Sequence, residues 1–166
     1  NQTIFSLFKK GSVNKKKIFE KVIVLLNKIQ LIKEKKIINF KNKEYIIPTY
    51  TSKILEDEAK LFSSWYINKK IKKSEQKNLK KTYHKIIKDL IKQIYLKNDT
   101  FVHRDFHISN LMMVKNEIGV IDSQDAMIGN KAYDLASLID DVRFETSERL
   151  KKIIFSYYLK THKIIK

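Results

Sequence analysis

The sequence predicts an α+β chain, mostly α-helical, with a small β-hairpin. Three observations carry that expectation. One Pro and three Gly in 166 residues leave few helix breakers. Apolar residues recur at three- and four-residue steps along most of the chain, the period of a helix with one buried face. Between residues 100 and 121 that period gives way to short β-branched and apolar runs, which read as strands. A hydrophobic content of 43% supports a packed core and excludes general disorder. The length suits one domain, or one lobe of a larger protein.

The elements follow in order. Ser12 or Asn14 caps a helix through Ile18, Val22, Leu25, Leu26 and Ile29, which make one buried stripe. Residues 37–47 read as a loop with a short extended piece, stopped at Pro48. Thr51 or Ser52 opens a second helix carrying Ile54, Leu55, Glu58, Leu61, Phe62 and Trp65. Ser74 begins a third, with Leu79, Tyr83, Ile86, Ile87, Leu90, Ile91 and Ile94 on one side. The Lys-rich stretch 69–81 reads either as a flexible segment or as the solvated start of that helix. Residues 100–103 are β-branched and aromatic and lead into a polar loop. Leu111–Val114 and residues 118–121 form the hairpin, joined at 115–117. Helical spacing returns over 132–141, and 148–158 make a last amphipathic helix.

Composition narrows the function classes. Zero cysteines exclude a disulfide scaffold and any Cys-ligated zinc or iron–sulfur site. Thirty-five Lys and Arg against eighteen Asp and Glu leave a formal net charge of +17. Only Arg104, Arg143 and Arg149 are arginines, so Lys supplies 32 of the positive charges. Base readout and bidentate phosphate grip favour the planar fork of Arg. The lysines are spread among Ile and Asn, residues that share A/T-rich codons. A solvated surface is therefore preferred to a specific nucleic-acid patch. No segment reaches the roughly 18–20 apolar residues of a membrane span, and no signal peptide is visible at the start. The expectation is a cytoplasmic protein with no membrane partner. The chain opens on Asn1 rather than Met, which reads as a start inside a longer reading frame.

The informative region is 101–143. It begins Val102-His103-Arg104-Asp105-Phe106-His107-Ile108-Ser109-Asn110, which fits His-Arg-Asp, four residues, Asn, the catalytic-loop pattern of kinases. In such a loop the Asp orients the attacking hydroxyl or accepts its proton, and the Asn offers a neutral oxygen to magnesium. A further carboxylate is needed for the metal that bridges the nucleotide phosphates. Asp122 follows Gly119-Val120-Ile121 and fills that role. Singly, each residue has a plainer reading. An Asp at a strand end serves turns and caps, and a lone His such as His107 is commonly a structural hydrogen-bonder. His103 reads as structural, bracing the loop by hydrogen bonds. His103 and His107 stand at i, i+4, a zinc spacing on a helix, but the Glu of that motif is missing and a strand precedes them.

The same residues resemble a family. Residues 102–110, then Leu111-Met112-Met113, Gly119-Val120-Ile121-Asp122-Ser123-Gln124-Asp125-Ala126, and Gly129 through Tyr133-Asp134-Leu135-Ala136-Ser137-Leu138 are similar to the aminoglycoside phosphotransferase family. Within it they look most like bacterial kinases of cell-wall amino sugars, which phosphorylate N-acetylmuramate and N-acetylglucosamine at the anomeric hydroxyl. In that group the metal segment typically runs Ile-Asp-Phe-Gln-Asp-Ala, and residues 55–66 look like the helix before its catalytic loop. The likeness is strong over 51–143 and faint before it.

The resemblance implies a protein-kinase-like C-terminal lobe and an enzyme using ATP and Mg2+ on a small-molecule substrate. It implies Asp105 as the catalytic base and Asn110 and Asp122 as magnesium ligands. Asp134 falls in the family's Tyr-Asp-Leu segment, as structural support for the loop. Asp125 either shapes the acceptor pocket or caps the next turn. Glu58 and Trp65 line the sugar side of the cleft, with a core aromatic as the alternative for Trp65. Ser123 departs from the usual Phe and Asn130 from the usual Pro. No Gly-rich phosphate loop and no strand Lys for the nucleotide phosphates are present. Residues 1–166 thus read as most of a C-lobe, with the N-lobe absent, to be supplied by a longer gene product, and the last family helices cut after 157–166. Alternatives are a kinase for choline, homoserine or an aminoglycoside, a non-catalytic fragment, and a nucleic-acid-binding protein.

Overall fold

A computed structural model describes residues 2–11, 13–93 and 97–164. In chain order it holds β1 (Gln2–Thr3), α1 (Ile4–Lys10), α2 (Lys15–Ile29), β2 (Lys36–Ile38), β3 (Glu44–Ile46), α3 (Ser52–Phe62), a π-helical turn over Ser63–Ile67, α4 (Asn68–Lys70) and α5 (Lys73–Gln93). It continues with β4 (Thr100–Val102), β5 (Leu111–Val114), β6 (Glu117–Val120), β7 (Met127–Gly129), α6 (Ala132–Ile139) and α7 (Glu148–Ile164). The chain divides into two compact units, Asn1–Pro48 with Asn98–Lys166, and Thr49–Lys97. The α+β, mostly helical expectation holds.

The first unit carries the catalytic-loop pattern. Asn14 caps α2, its side chain accepting from the Lys17 N–H, a contact that stabilises a helix by about 1 kcal/mol. The alternative cap, Ser12, lies outside the described residues. Ile18, Val22, Leu26 and Ile29 are buried as the periodicity requires, while Leu25 sits at the edge of the stripe. Gly11 ends α1 at φ 74°, a left-handed conformation that glycine adopts without strain, and its N–H returns to Phe8 O. The core joins α2 to α7, to Leu135 and Leu138 of α6, and to Phe106, Ile108 and Leu111 of the loop. Phe106 and Leu111 are fully buried. Each such side chain contributes roughly 1.5–3 kcal/mol, so the loop is anchored by packing as well as by hydrogen bonds.

Three small sheets complete this unit. The hairpin β5–β6 is antiparallel with Leu111 opposite Val120 and Val114 opposite Glu117, and β1 adds to its free edge. Its turn, Lys115-Asn116, has φ of 46° and 68°, the left-handed pair of a two-residue hairpin loop. The turn is one residue tighter than expected, so Glu117 joins β6 and Ile121 falls outside it. β4 pairs with β7, Val102 opposite Met127. Residues 37–47, expected as a loop with one extended piece, lie largely in a second hairpin, β2–β3, turned at Asn42 with φ 54°.

The second unit is helical. Thr51 caps α3, accepting from the Ile54 N–H. The apolar stripe expected to reach Trp65 in one helix passes instead into the π turn. Ile71, in extended conformation, separates α4 from α5. The Lys-rich stretch is thus helix ends and a helix start. α5 begins at Lys73, and Ile94 lies outside the described residues. Neither α3 nor α5 has a fully buried side chain.

Candidate active site

β4 delivers the chain into the loop, and α6 catches it there. The Asp134 carboxylate accepts the backbone N–H of His103 through Oδ2 at 2.8 Å and that of Arg104 through Oδ1 at 3.0 Å. Arg104 needs this hold. Its φ is 74°, a conformation costly for a residue with a Cβ by about 1–3 kcal/mol. Asp134 is completely buried. Burial pushes its carboxyl above the usual Asp range, and the two N–H bonds pull against that rise.

Past that point the loop is knotted to itself. The His107 N–H donates to Asp105 O, the Asn110 N–H to His107 O, and Asn110 Nδ2 to Asp105 O at 3.1 Å. The Asn110 amide therefore turns its nitrogen back to the loop's own backbone. The half-buried Asp105 carboxylate makes no hydrogen bond among the described residues. Pairing of Leu111 with Val120 sets Asn110 beside Ile121, whose N–H donates to Asn110 O at 3.0 Å. That register brings Asn110 to Ile121, the residue before Asp122, across eleven residues of sequence. Asp122 is exposed at φ 70°, and its Oδ1 accepts from Gln124 Nε2 at 2.6 Å. Gln124 escaped the sequence reading, although a side chain two residues past an Asp is within reach of it.

The histidines differ from expectation. His103 braces the loop, but through its backbone N–H. Both its ring nitrogens are buried without a hydrogen-bond partner, and the ring lies edge-on to Phe106 at 6.1 Å. His107 is also buried; burial first, and the charge of Arg143 second, hold it below the usual His range. Asp141 and Arg143, which the motif search passed over, form a pair beside the loop: Asp141 Oδ1 accepts from Arg143 Nη1 at 3.1 Å.

Asp125 is exposed in the turn before β7, and its carbonyl accepts from Arg104 Nη1 at 3.4 Å. Glu58 and Trp65 belong to the second unit. Tyr50 Oη donates to both Glu58 oxygens, at 2.9 and 3.2 Å. Trp65 is 62% exposed with Lys69 Nζ over its ring, so the core alternative for it falls. A cavity of 490 Å³ between α2, β6 and α7 contains none of these residues.

The donor set suits a hard divalent ion. One amide oxygen and one carboxylate on adjacent strand ends fit magnesium, which takes few protein oxygens and completes its shell with phosphates and water. Among the described residues no group of three or more His, Cys, Asp or Glu could hold a metal by itself.

Comparison with known proteins bears on the same region. The model of the phosphotransferase enzyme family matches residues 12–164. The chain is 30% identical over 107 residues to an N-acetylmuramate/N-acetylglucosamine kinase of Neisseria meningitidis serogroup B, a match covering 64% of this chain and 32% of that protein. It is 32% identical over 95 residues to a Pseudomonas putida protein of the same name, covering 57% and 28%. A Caulobacter vibrioides protein of that name is 33% identical over 64 residues, covering 36% and 18%. The matched stretch is thus under a third of each relative's own length.

Proposed function

Because the chain belongs to the phosphotransferase enzyme family, we propose that it carries the catalytic loop of an ATP-dependent kinase for a small-molecule hydroxyl, best the anomeric hydroxyl of N-acetylmuramate or N-acetylglucosamine. In this reading it is a protein-kinase-like C-lobe acting in the cytoplasm, with the nucleotide-gripping lobe supplied by the rest of the gene product. The observation that supports it is the ordered set Asp105, Asn110, Asp122 in the sequence, with Ile121, the residue before Asp122, hydrogen-bonded to Asn110 O.

The family resemblance assigns the roles. Asp105 aligns the acceptor hydroxyl and receives its proton as the new O–P bond forms and the bond from the γ-phosphorus to the β–γ bridging oxygen breaks. Asn110 Oδ1 and the Asp122 carboxylate would hold Mg2+, which neutralises charge on the phosphates when bound. Asp134 keeps the backbone N–H groups of the loop fixed, so that Asp105 is in place before the substrate arrives.

The test is turnover of labelled ATP by the native gene product, with both amino sugars and a panel of choline, homoserine and an aminoglycoside. Asp105→Asn is expected to lower kcat by about 10²–10⁴-fold. Wild-type turnover in that variant would remove Asp105 from the chemistry. Phosphorylation of choline in preference to either sugar would replace the acceptor.

A further inference from the structure

The β2–β3 hairpin turns apolar side chains to water on both of its faces. Ile37 stands opposite Tyr45, Lys36 opposite Ile46 and Ile38 opposite Glu44. Residues opposite each other share a face, so Ile37 and Tyr45 lie on one side and Ile38 and Ile46 on the other. Every residue of both strands is exposed, and none belongs to the hydrophobic core. Ile38 is 66% exposed and Ile46 63%. At the tip Phe40 is 92% exposed. The turn that carries Phe40 is closed by its own hydrogen bonds. Asn39 Oδ1 accepts the backbone N–H of Lys41 at 2.9 Å and that of Lys43 at 3.1 Å, and Asn39 O accepts that of Asn42 at 2.9 Å.

A two-stranded hairpin with no face on a core is marginal in water, and clustered exposed apolar side chains mark a surface that meets a partner. The charges around the tip indicate its kind. Residues 33–46 hold five Lys against two Glu. Glu44 is taken by Lys36 at 3.0 Å, and Lys41 Nζ lies over the Phe40 ring at 5.5 Å. The ammonium groups of Lys35 and Lys43 have no acidic partner among the described residues. A protein partner covers one face of a hairpin and leaves the other wet. Nucleic acid stacks on aromatic rings and gains little from three isoleucines. A lipid interface surrounds an inserted tip and covers both faces at once, while its phosphates meet the ammonium ends of long lysine stems.

We propose that the β2–β3 hairpin is a peripheral membrane contact. It dips Phe40 and the flanking isoleucines into the headgroup layer of a bilayer rich in anionic phospholipid, with Lys35, Lys41 and Lys43 on the phosphates. Its strand edges carry unpaired backbone groups, which confine it to the wet interface and keep it out of the hydrocarbon core. The sequence-based expectation of no membrane partner rested on the lack of a span, and this contact needs none. It is independent of which acceptor the chain serves.

Co-sedimentation of the native gene product with vesicles tests the contact. Vesicles of phosphatidylcholine with about 30% phosphatidylglycerol are expected to bind at least about tenfold more tightly than phosphatidylcholine alone, and binding should fade as NaCl rises from about 100 to 500 mM. Phe40→Ser is expected to weaken binding by about tenfold, and Lys35→Gln with Lys43→Gln by about 10- to 30-fold. Lys16→Gln with Lys17→Gln removes the same charge at the start of α2 and should cost less than about threefold. An unchanged Tm shows that each variant has folded. No binding to the anionic vesicles overturns the proposal, as does binding that Phe40→Ser leaves intact or that the α2 pair weakens as much as the hairpin pair. Self-association or RNA binding that is lost in Phe40→Ser, with no vesicle binding, would assign the hairpin to that partner instead. Turnover with the amino sugars is read separately, so either reading can fail without the other.

Discussion

Asp134 shows how much one side chain can decide. Its two oxygens cap two successive backbone N–H groups, and one of those belongs to a residue at positive φ. Truncation would leave the buried His103 N–H and the half-buried Arg104 N–H without this acceptor, at about 1–3 kcal/mol each. Asp134→Ala should therefore lose about 2–5 kcal/mol in a urea melt, and Asp134→Asn, which keeps one acceptor, about half of that. A change under about 0.5 kcal/mol would mean that the loop holds its shape without α6. The pH sign follows from the raised carboxyl. Its contribution is complete below the ordinary Asp range and erodes as pH rises through the folded-state value, because ionising a buried group is costly. At this scale the candidates Asp105, Asn110 and Asp122 were legible, since the motif that nominates them depends on residue type and spacing. The Asp141–Arg143 pair was not. Asp-Val-Arg is an ordinary surface tripeptide until burial of the Asp singles it out.

At the scale of elements, hydrogen-bond register does the work. The β5–β6 hairpin brings Asn110 against Ile121, eleven residues away, and its Lys115-Asn116 turn sets the register. Lys21 on α2 reinforces the turn, donating from Nζ to Asn116 O at 2.6 Å and to its Oδ1 at 2.7 Å. Gly119 in β6 looks from sequence like a place of tight approach. A Cβ there would meet Val114 Cγ2 at 3.6 Å and Met112 O at 4.0 Å, both ordinary contacts, and its φ is not positive. Gly119→Ala should consequently stabilise the chain by about 0.4–1 kcal/mol, by restricting the unfolded state. A drop in Tm for that variant would reveal crowding on this strand that these distances do not show. The long helices were legible because a 3.6-residue period repeats several times within each. β1 and β7 were not, because strands of two or three residues have no period and exist only through β5 and β4.

For the whole molecule the charge of +17 is a stability term before it is a binding signal. Lysines crowd the exposed faces, as on α5, where seven of twenty-one residues are Lys. Their repulsion should weaken with salt. Raising NaCl from about 20 to 300 mM should lift Tm by a few degrees, and any DNA binding should fade over the same range without sequence preference. A Tm that falls, or a DNA complex that survives about 300 mM, would contradict a merely solvated surface. Among the described residues no helix is long and apolar enough to cross a membrane.

By itself the sequence determined the helical character, the central hairpin and the spacing of the residues proposed for the chemistry, Asp105, Asn110 and Asp122. Each of these follows from local rules, namely periodicity, turn chemistry and the fixed spacing of a loop motif. Tertiary structure decided the rest. It set Ile121 against Asn110, set Asp134 against the strained backbone at Arg104, left Trp65 exposed, and held the Arg143 side chain on a buried carboxylate. Those outcomes depend on which side chains lose water and which distant backbone groups meet. Burial and long-range hydrogen bonding are properties of the packed chain, and no window of neighbouring residues contains them.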